Sequence, residues 1–245
     1  MPRIRPIVLS LLTLLVACGG ADRYAGMNAD DVYRMALNEI SEENWGNAIR
    51  SLERFNVTFG DDPRIPEVRL LLAQANYSDG DYLTARAEYQ RFRDRFVAHP
   101  RVAEAALGEC RSLAALAPHP QRDQTYTEDA LTVCGNVTVD YAGRPEAAEA
   151  AELRRSLRHL VAEKEYLNAN HYFRRRQYDP AIKYFQFVVD LYPDTEFAPR
   201  ALLGIYLANV EIGYDDLAEQ ARTRLLLEFP NSPEAQELPA TESGS

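Results

Sequence analysis

The sequence predicts an all-α protein built as a solenoid of five helix pairs, and three observations carry that expectation. Small residues recur in a common frame, with Ala48, Ala85, Ala130, Ala181 and Ala218 as markers at spacings of 37, 45, 51 and 37. Seven positions past each marker stands an apolar residue: Phe55, Phe92, Val137, Val188 and Leu225. Fifteen past stand Pro63, Pro100, Pro145, Glu196 and Pro233, four prolines that end helices because proline lacks the amide donor and clashes with the preceding turn. No stretch alternates apolar and polar residues with the period of a strand.

Taken in order, the periodicity predicts helices over 29–43 and 45–58, 65–79 and 81–97, 101–116 and 124–141, 145–176 and 178–191, and 196–212 and 214–228. Turn formers join the partners of a pair, between Asn44 and Asn47 and between Asp79 and Asp81. Small alanines at matched positions let paired helices approach, and large side chains a turn away fill the groove beside them. The longer steps have their own causes. Residues 117–124, Ala-Pro-His-Pro-Gln-Arg-Asp-Gln, lengthen the link inside the third pair. The fourth pair opens on a helix of about thirty residues, a rod of roughly 45 Å that can join two halves of the array. Arg222 occupies a slot that is large and apolar in most other pairs.

The frame resembles the tetratricopeptide repeat. The second segment shows it best, with Ala73, Gly80-Asp81-Tyr82, Ala85, Tyr89, Phe92 and Pro100. The fourth reads Ala169, Tyr178-Asp179, Ala181, Phe185, Val188 and Tyr192-Pro193. The fold class expected is thus an α-solenoid of five tetratricopeptide-like helix pairs.

The first residues bear on compartment. Arg3 and Arg5 precede an apolar run, Ile7 to Ala17, that fits a secretory signal and is too short to span a bilayer. It ends Leu15-Val16-Ala17-Cys18-Gly19, which resembles a bacterial lipobox and implies a signal peptide over 1–17 with acylation of Cys18. Several acyl chains, at about 0.8 kcal/mol per buried CH₂, make a lasting tether. A neutral Gly19 implies sorting to the periplasmic face of the outer membrane. Beyond the signal we expect a linker over 18–28, repeats one and two with the first helix of repeat three over 29–118, the remainder over 119–236, and a disordered tail over 237–245.

The formal charge of −10 becomes −12 once Arg3 and Arg5 are removed with no acid. That balance excludes nucleic acid as a partner, whose binders need a basic face, and leaves the lipid anchor as the only membrane contact. His99, His119, His159 and His171 share no metal-ligand spacing, and there is no phosphate-cradling glycine loop or nucleophile setting, so neither enzyme, metal nor cofactor is expected.

Specific stretches narrow the resemblance. Asp31-Val32-Tyr33-Arg34-Met35-Ala36, Asn44-Trp45-Gly46-Asn47-Ala48-Ile49, Ala98-His99-Pro100, Arg122-Asp123-Gln124-Thr125 and Tyr192-Pro193-Asp194-Thr195 stand in order as in the BamD family of outer-membrane assembly lipoproteins. Phe59-Gly60-Asp61-Asp62-Pro63 departs from that pattern, as do Cys110 and Cys134. The resemblance implies a scaffold whose C-terminal half binds the periplasmic domains of a barrel-forming subunit, with other assembly lipoproteins as further partners. Its N-terminal repeats would receive the C-terminal segments of unfolded outer-membrane proteins. Counting from the markers puts Tyr33, Leu37, Leu70, Gln74 and Tyr77 on the peptide-receiving face, with packing between repeats as the other role for Tyr33 and Tyr77. Arg122, Asp123 and Arg175 are the expected partner contacts. Other tetratricopeptide lipoproteins, such as a secretin pilotin or a peptidoglycan-synthesis adaptor, share the anchor and the repeats. Cys110 and Cys134 fall in facing slots of the third pair, either bridged or as two buried thiols.

Overall fold

A computed structural model describes residues 23–238 of the chain. The first four pairs are α1 (Ala29–Ser41) with α2 (Trp45–Thr58), α3 (Ile65–Ser78) with α4 (Tyr82–Arg95), α5 (Val102–Ala115) with α6 (Thr125–Asp140), and α7 (Pro145–Arg174) with α8 (Tyr178–Leu191). The fifth is α9 (Phe197–Ile212) with α10 (Asp215–Glu228), and each helix packs on the next in chain order. These are the ten expected helices, their ends moved by a few residues at most. An eleventh, α11 (Pro233–Gln236), was not expected: Ser232 Oγ caps it by accepting the Ala235 N–H at 3.1 Å, and Ala235 is buried. Among the described residues there is no strand.

The marker frame is the core. The five marker alanines and the five apolar residues seven positions on are all buried. Four clusters pass burial along the chain, from α1–α3 to α3–α5, then α5–α7, then α7–α10. Such nearest-neighbour stacking is what a helical repeat array requires, because a single pair cannot bury its apolar face alone.

Successive pairs are joined by a size match that the sequence reading missed. Tyr89 of α4 lies flat against Gly108 of α5, where a Cβ would sit 2.4 Å from the ring. Phe185 of α8 meets Gly204 of α9 in the same way, at 2.6 Å. Each aromatic precedes its glycine by nineteen residues, and the same spacing elsewhere pairs Leu52 with Leu71 and Cys134 with Leu153. A large residue on one helix thus requires a vanishing one on the next. At the last such position stands Arg222, after which no further pair follows among the described residues; its side chain is paired with Glu219.

The α7 helix carries the change from one half to the other. Its Ala150 and Leu157 belong to the α5–α7 cluster, whereas Ala162 and Ala169 belong to the α7–α10 cluster. The packing boundary therefore runs across α7 between Leu157 and Ala162. The expected division at 118/119 instead falls between α5 and α6, which share one cluster and a covalent bond, so it does not coincide with a packing boundary.

Candidate functional site

The first helices α3, α5, α7 and α9 pack successively on one another, and the expected peptide contacts lie on α1 and α3. Tyr33 is half-buried, its ring 5.9 Å from Phe55 with the Arg64 guanidinium 5.0 Å above it. Arg64 is fixed there by Asp62, which accepts from its Nε at 2.9 Å and its Nη2 at 2.8 Å, bonds that hold the Asp62 carboxyl down at about 2. Burial, then the neighbouring Glu67 carboxylate, pushes the Tyr33 phenol above its usual range. Tyr77 is also half-buried, packed beside the Tyr89 cluster with its ring 5.3 Å from Tyr82. Both tyrosines thus pack between helices and still show an edge to solvent. Leu37 is exposed at 38%.

Leu70 is a correction. It is fully buried against Ala73, Tyr89, Phe92 and Ala105, so it cannot touch a ligand on this face. Counting from Ala85 gave its position along α3, but the marker frame does not reveal that α5 lies over it.

Polar pairing links the first helices. Gln74 Nε2 donates to Glu104 Oε1 at 2.6 Å, and Arg101 donates to the same carboxylate through Nε at 2.7 Å and Nη2 at 2.8 Å. Arg111 reaches from α5 to α7, donating to both oxygens of Glu149 at 2.6 and 2.5 Å. Those bonds hold the Glu149 carboxyl below its usual range. The partners lie 30 and 38 residues apart, about one repeat, and opposite charge at that spacing is the signal that could have found them. At the array's start, buried Glu39 accepts from Arg23 Nη2 and Ser51 Oγ, each at 2.5 Å.

The expected partner contacts converge from two elements. Arg122 and Asp123 are exposed in the link between α5 and α6. Asp123 Oδ1 accepts from the Thr125 N–H at 2.8 Å and from Thr125 Oγ1 at 2.6 Å, which lowers its pKa, as does nearby Lys164 to a smaller degree. Buried Gln124 braces the link, donating to the His119 carbonyl at 3.0 Å and the Arg122 carbonyl at 3.2 Å while accepting from Thr127 Oγ1 at 2.6 Å. Gln121 of this link and Arg175, just past α7, line one cavity, so the three residues share a side of the molecule.

Pairs four and five place exposed apolar residues around a groove. Phe187, Leu191, Leu207, Val210, Tyr214 and Leu217 are each more than 40% exposed. A groove of about 590 Å³ lies among α8, α9 and α10, with Ile182, Leu202, Ile205, Tyr214 and Leu217 among its apolar lining. In the third pair, Cys110 and Cys134 are both fully buried and joined by a disulfide, with Cα atoms 5.0 Å apart. Cys18 lies outside the described residues. Among the described residues, no group of three or more His, Cys, Asp or Glu could hold a metal ion, and no helix is long and apolar enough to cross a membrane.

Stacked pairs with buried small residues at a fixed frame define a helical-repeat protein of the tetratricopeptide class. Within it, the model of the YfiO family, described as an outer membrane lipoprotein, matches residues 25–225, and the chain belongs to that family. Relatives carrying the name outer membrane protein assembly factor BamD match along almost their whole length. That of Neisseria meningitidis is 25% identical, covering 93% of this chain and 91% of the relative. That of Xylella fastidiosa is 24% identical, covering 93% and 83%. The Vibrio cholerae relative is 24% identical, covering 90% and 95%. A looser overlap, with a TM-score of 0.46 at 13% identity, covers 84% of this chain and 80% of a solved TPR2AB-domain complex of yeast Sti1.

Proposed function

We propose that this chain is the tetratricopeptide scaffold of an outer-membrane β-barrel assembly machine, held to the periplasmic face of the outer membrane by acylated Cys18. The observation that carries this reading is the match, over about nine-tenths of both chains, to relatives named as outer membrane protein assembly factors. In this reading the scaffold performs no catalysis. It binds, through pairs three to five, the periplasmic domains of a barrel-forming subunit, with Arg122, Asp123, Arg175 and the exposed apolar residues of α8–α10 in contact. Its first two pairs receive the C-terminal segment of an unfolded barrel protein on the face that carries Tyr33, Leu37, Gln74 and Tyr77. The half-buried tyrosines support that role, since a rigid aromatic edge offers contact area at low entropic cost.

Recovery of the tagged chain from detergent-solubilised outer membrane tests the partner. The expected companion is a barrel protein with repeated periplasmic domains, and a secretin in its place overturns the reading. Tyr33→Ala with Tyr77→Ala is expected to weaken capture of a barrel-protein C-terminal peptide by about ten-fold or more, roughly 1.4 kcal/mol. Unchanged capture by a folded double variant removes the peptide role from this face.

A further inference from the structure

In this chain of net charge −10, guanidinium groups are mostly bonded to carboxylates within the protein. Arg64, Arg93, Arg101, Arg111, Arg158 and Arg200 all have such partners. The pattern stops at the end of α7. Lys164, His171, Arg174 and Arg175 recur there along one side of the helix over about 16 Å, and Arg176 follows it. The link before α6 brings Arg122 alongside. Arg122, Arg174, Arg175 and Arg176 have no ion-pair partner among the described residues. The acids nearby are Asp123, occupied by Thr125, Glu163 and Glu165 on either side of Lys164, Asp179 at the start of α8, and Glu211, which accepts from Tyr178; none is bonded to Arg122, Arg174, Arg175 or Arg176.

Helix-end electrostatics do not account for this concentration. A helix C-terminus carries the equivalent of about half a negative charge, which one cation satisfies. Here four arginines, Arg122, Arg174, Arg175 and Arg176, gather with Lys164. Arg176 also holds a left-handed backbone, φ 58°, where the equivalent turns of the second and fifth pairs use Gly80 and Gly213 at φ 86°. Glu43 holds the same conformation at the turn of the first pair, φ 55°, so the backbone itself does not single out this corner. Between the two elements lies a cavity of about 340 Å³, lined by Gln121, Leu167, Asn170, His171, Arg174 and Arg175.

We infer that this corner is the docking site for an acidic segment of a protein partner. Carboxylates of the segment pair with Arg122, Arg174 and Arg175, and the apolar stem of one side chain enters the cavity over Leu167. Guanidinium groups suit this because their planar fork meets a carboxylate with two parallel bonds. An anionic bilayer fits less well: the chain's net charge of −10 opposes a broad anionic surface, and the cations surround a concavity instead of a plane. The inference rests on, and deepens, the reading of Arg122, Asp123 and Arg175 as partner contacts.

The test titrates the chain, from residue 19 onward, into labelled decaglutamate and decaglutamine peptides, with an R122Q/R174Q/R175Q variant alongside. All three side chains are exposed, so the variant is expected to keep its helix content and unfolding midpoint; Arg91→Gln, an exposed arginine of α4, is the control. The decaglutamate is expected to bind wild type and control alike, with affinity falling as salt rises from about 50 to 300 mM, and the triple variant to bind about ten-fold or more weakly. Equal binding by the triple variant overturns the inference. So does arginine-dependent co-sedimentation with vesicles of equal parts phosphatidylglycerol and phosphatidylcholine when peptide binding does not depend on the same arginines. Because the peptide arm needs no barrel subunit, a wild-type chain that ignores that subunit's periplasmic domains refutes the partner assignment and leaves the corner's chemistry to the peptide result.

Discussion

The two ends of the array solve the same packing problem and then treat their surfaces differently. In the first three pairs the charged and amide groups on the first-helix face are largely spent on one another: Gln74 and Arg101 on Glu104, and Arg111 on Glu149. At the end of α7 that pairing lapses, although Arg200 and Arg224 beyond it are again bonded to carboxylates. Guanidinium groups stand unpaired at the α7 end, and Phe187, Leu207, Val210 and Leu217 are exposed around pairs four and five, as Val57, Leu83, Val97 and Val139 are singly elsewhere. Paired charge on a rigid face gives a surface that accepts a weakly bound, exchangeable segment. Unpaired charge beside exposed apolar area is the make-up of a surface completed by a lasting partner. In the proposed reading, one scaffold holds a stable neighbour at one end and passes a transient client across the other.

The contrast can be broken where it is covalently reinforced. Replacing Cys110 and Cys134 by alanine removes the bond that joins α5 to α6 across 24 residues, which the loop-entropy relation values at roughly 3–4 kcal/mol. Because the packing boundary crosses α7, the loss is expected in hydrogen exchange of α5, α6 and the first half of α7, with α8–α10 keeping their protection. Equal loss in both halves would show one cooperative unit and erase the boundary.

The junctions between pairs come next. Gly108→Ala and Gly204→Ala each drive a Cβ into an aromatic ring, an overpacking expected to cost about 1–3 kcal/mol in thermal or urea unfolding. Adding Tyr89→Leu to the first or Phe185→Leu to the second should restore most of it, since Leu52 and Leu71 already show that two medium residues serve at this spacing. Failure of both compensations would mean the glycines are kept for another reason.

The smallest expected effect separates the halves by charge. Glu149, held by Arg111, and Asp194, held by Arg158, both have carboxyl pKa values below their ordinary 4.5 and 3.8. A depressed folded pKa means each pair contributes stability that is fully present above the ordinary value and is lost as pH falls from there through the lowered folded value. Both pairs are largely solvent-accessible, so each is worth less than about 1 kcal/mol. Arg111→Gln should therefore flatten acid destabilisation between about pH 5 and 3 for the N-terminal half alone, read by hydrogen exchange across that range. An effect confined to α8–α10 would contradict the assignment.

Much of the fold was legible because a repeat writes its core at fixed intervals. The alanine markers and the residues seven positions on named ten buried positions directly, and the step of 51 announced the long α7. What escaped depends on neighbours that no single repeat reveals. Leu70 looked like a face residue because its burial comes from the next pair, while Gly108 and Gly204 make sense only beside aromatics nineteen residues earlier. Of the candidate site, the sequence named Arg122, Asp123 and Arg175 without showing that the link folds against α7. Gln124, the buried brace that fixes the link there, carried no signal beyond its place after Arg122-Asp123.

The division of labour between the two ends is most directly tested by hydrogen exchange of the mature chain with and without the periplasmic domains of the barrel-forming subunit. The expected result is added protection at residues 121–124, the last turns of α7 and α8–α10, with α1–α4 unchanged. Protection concentrated on α1 and α3, with the α7 end and pairs four and five unaffected, would contradict it.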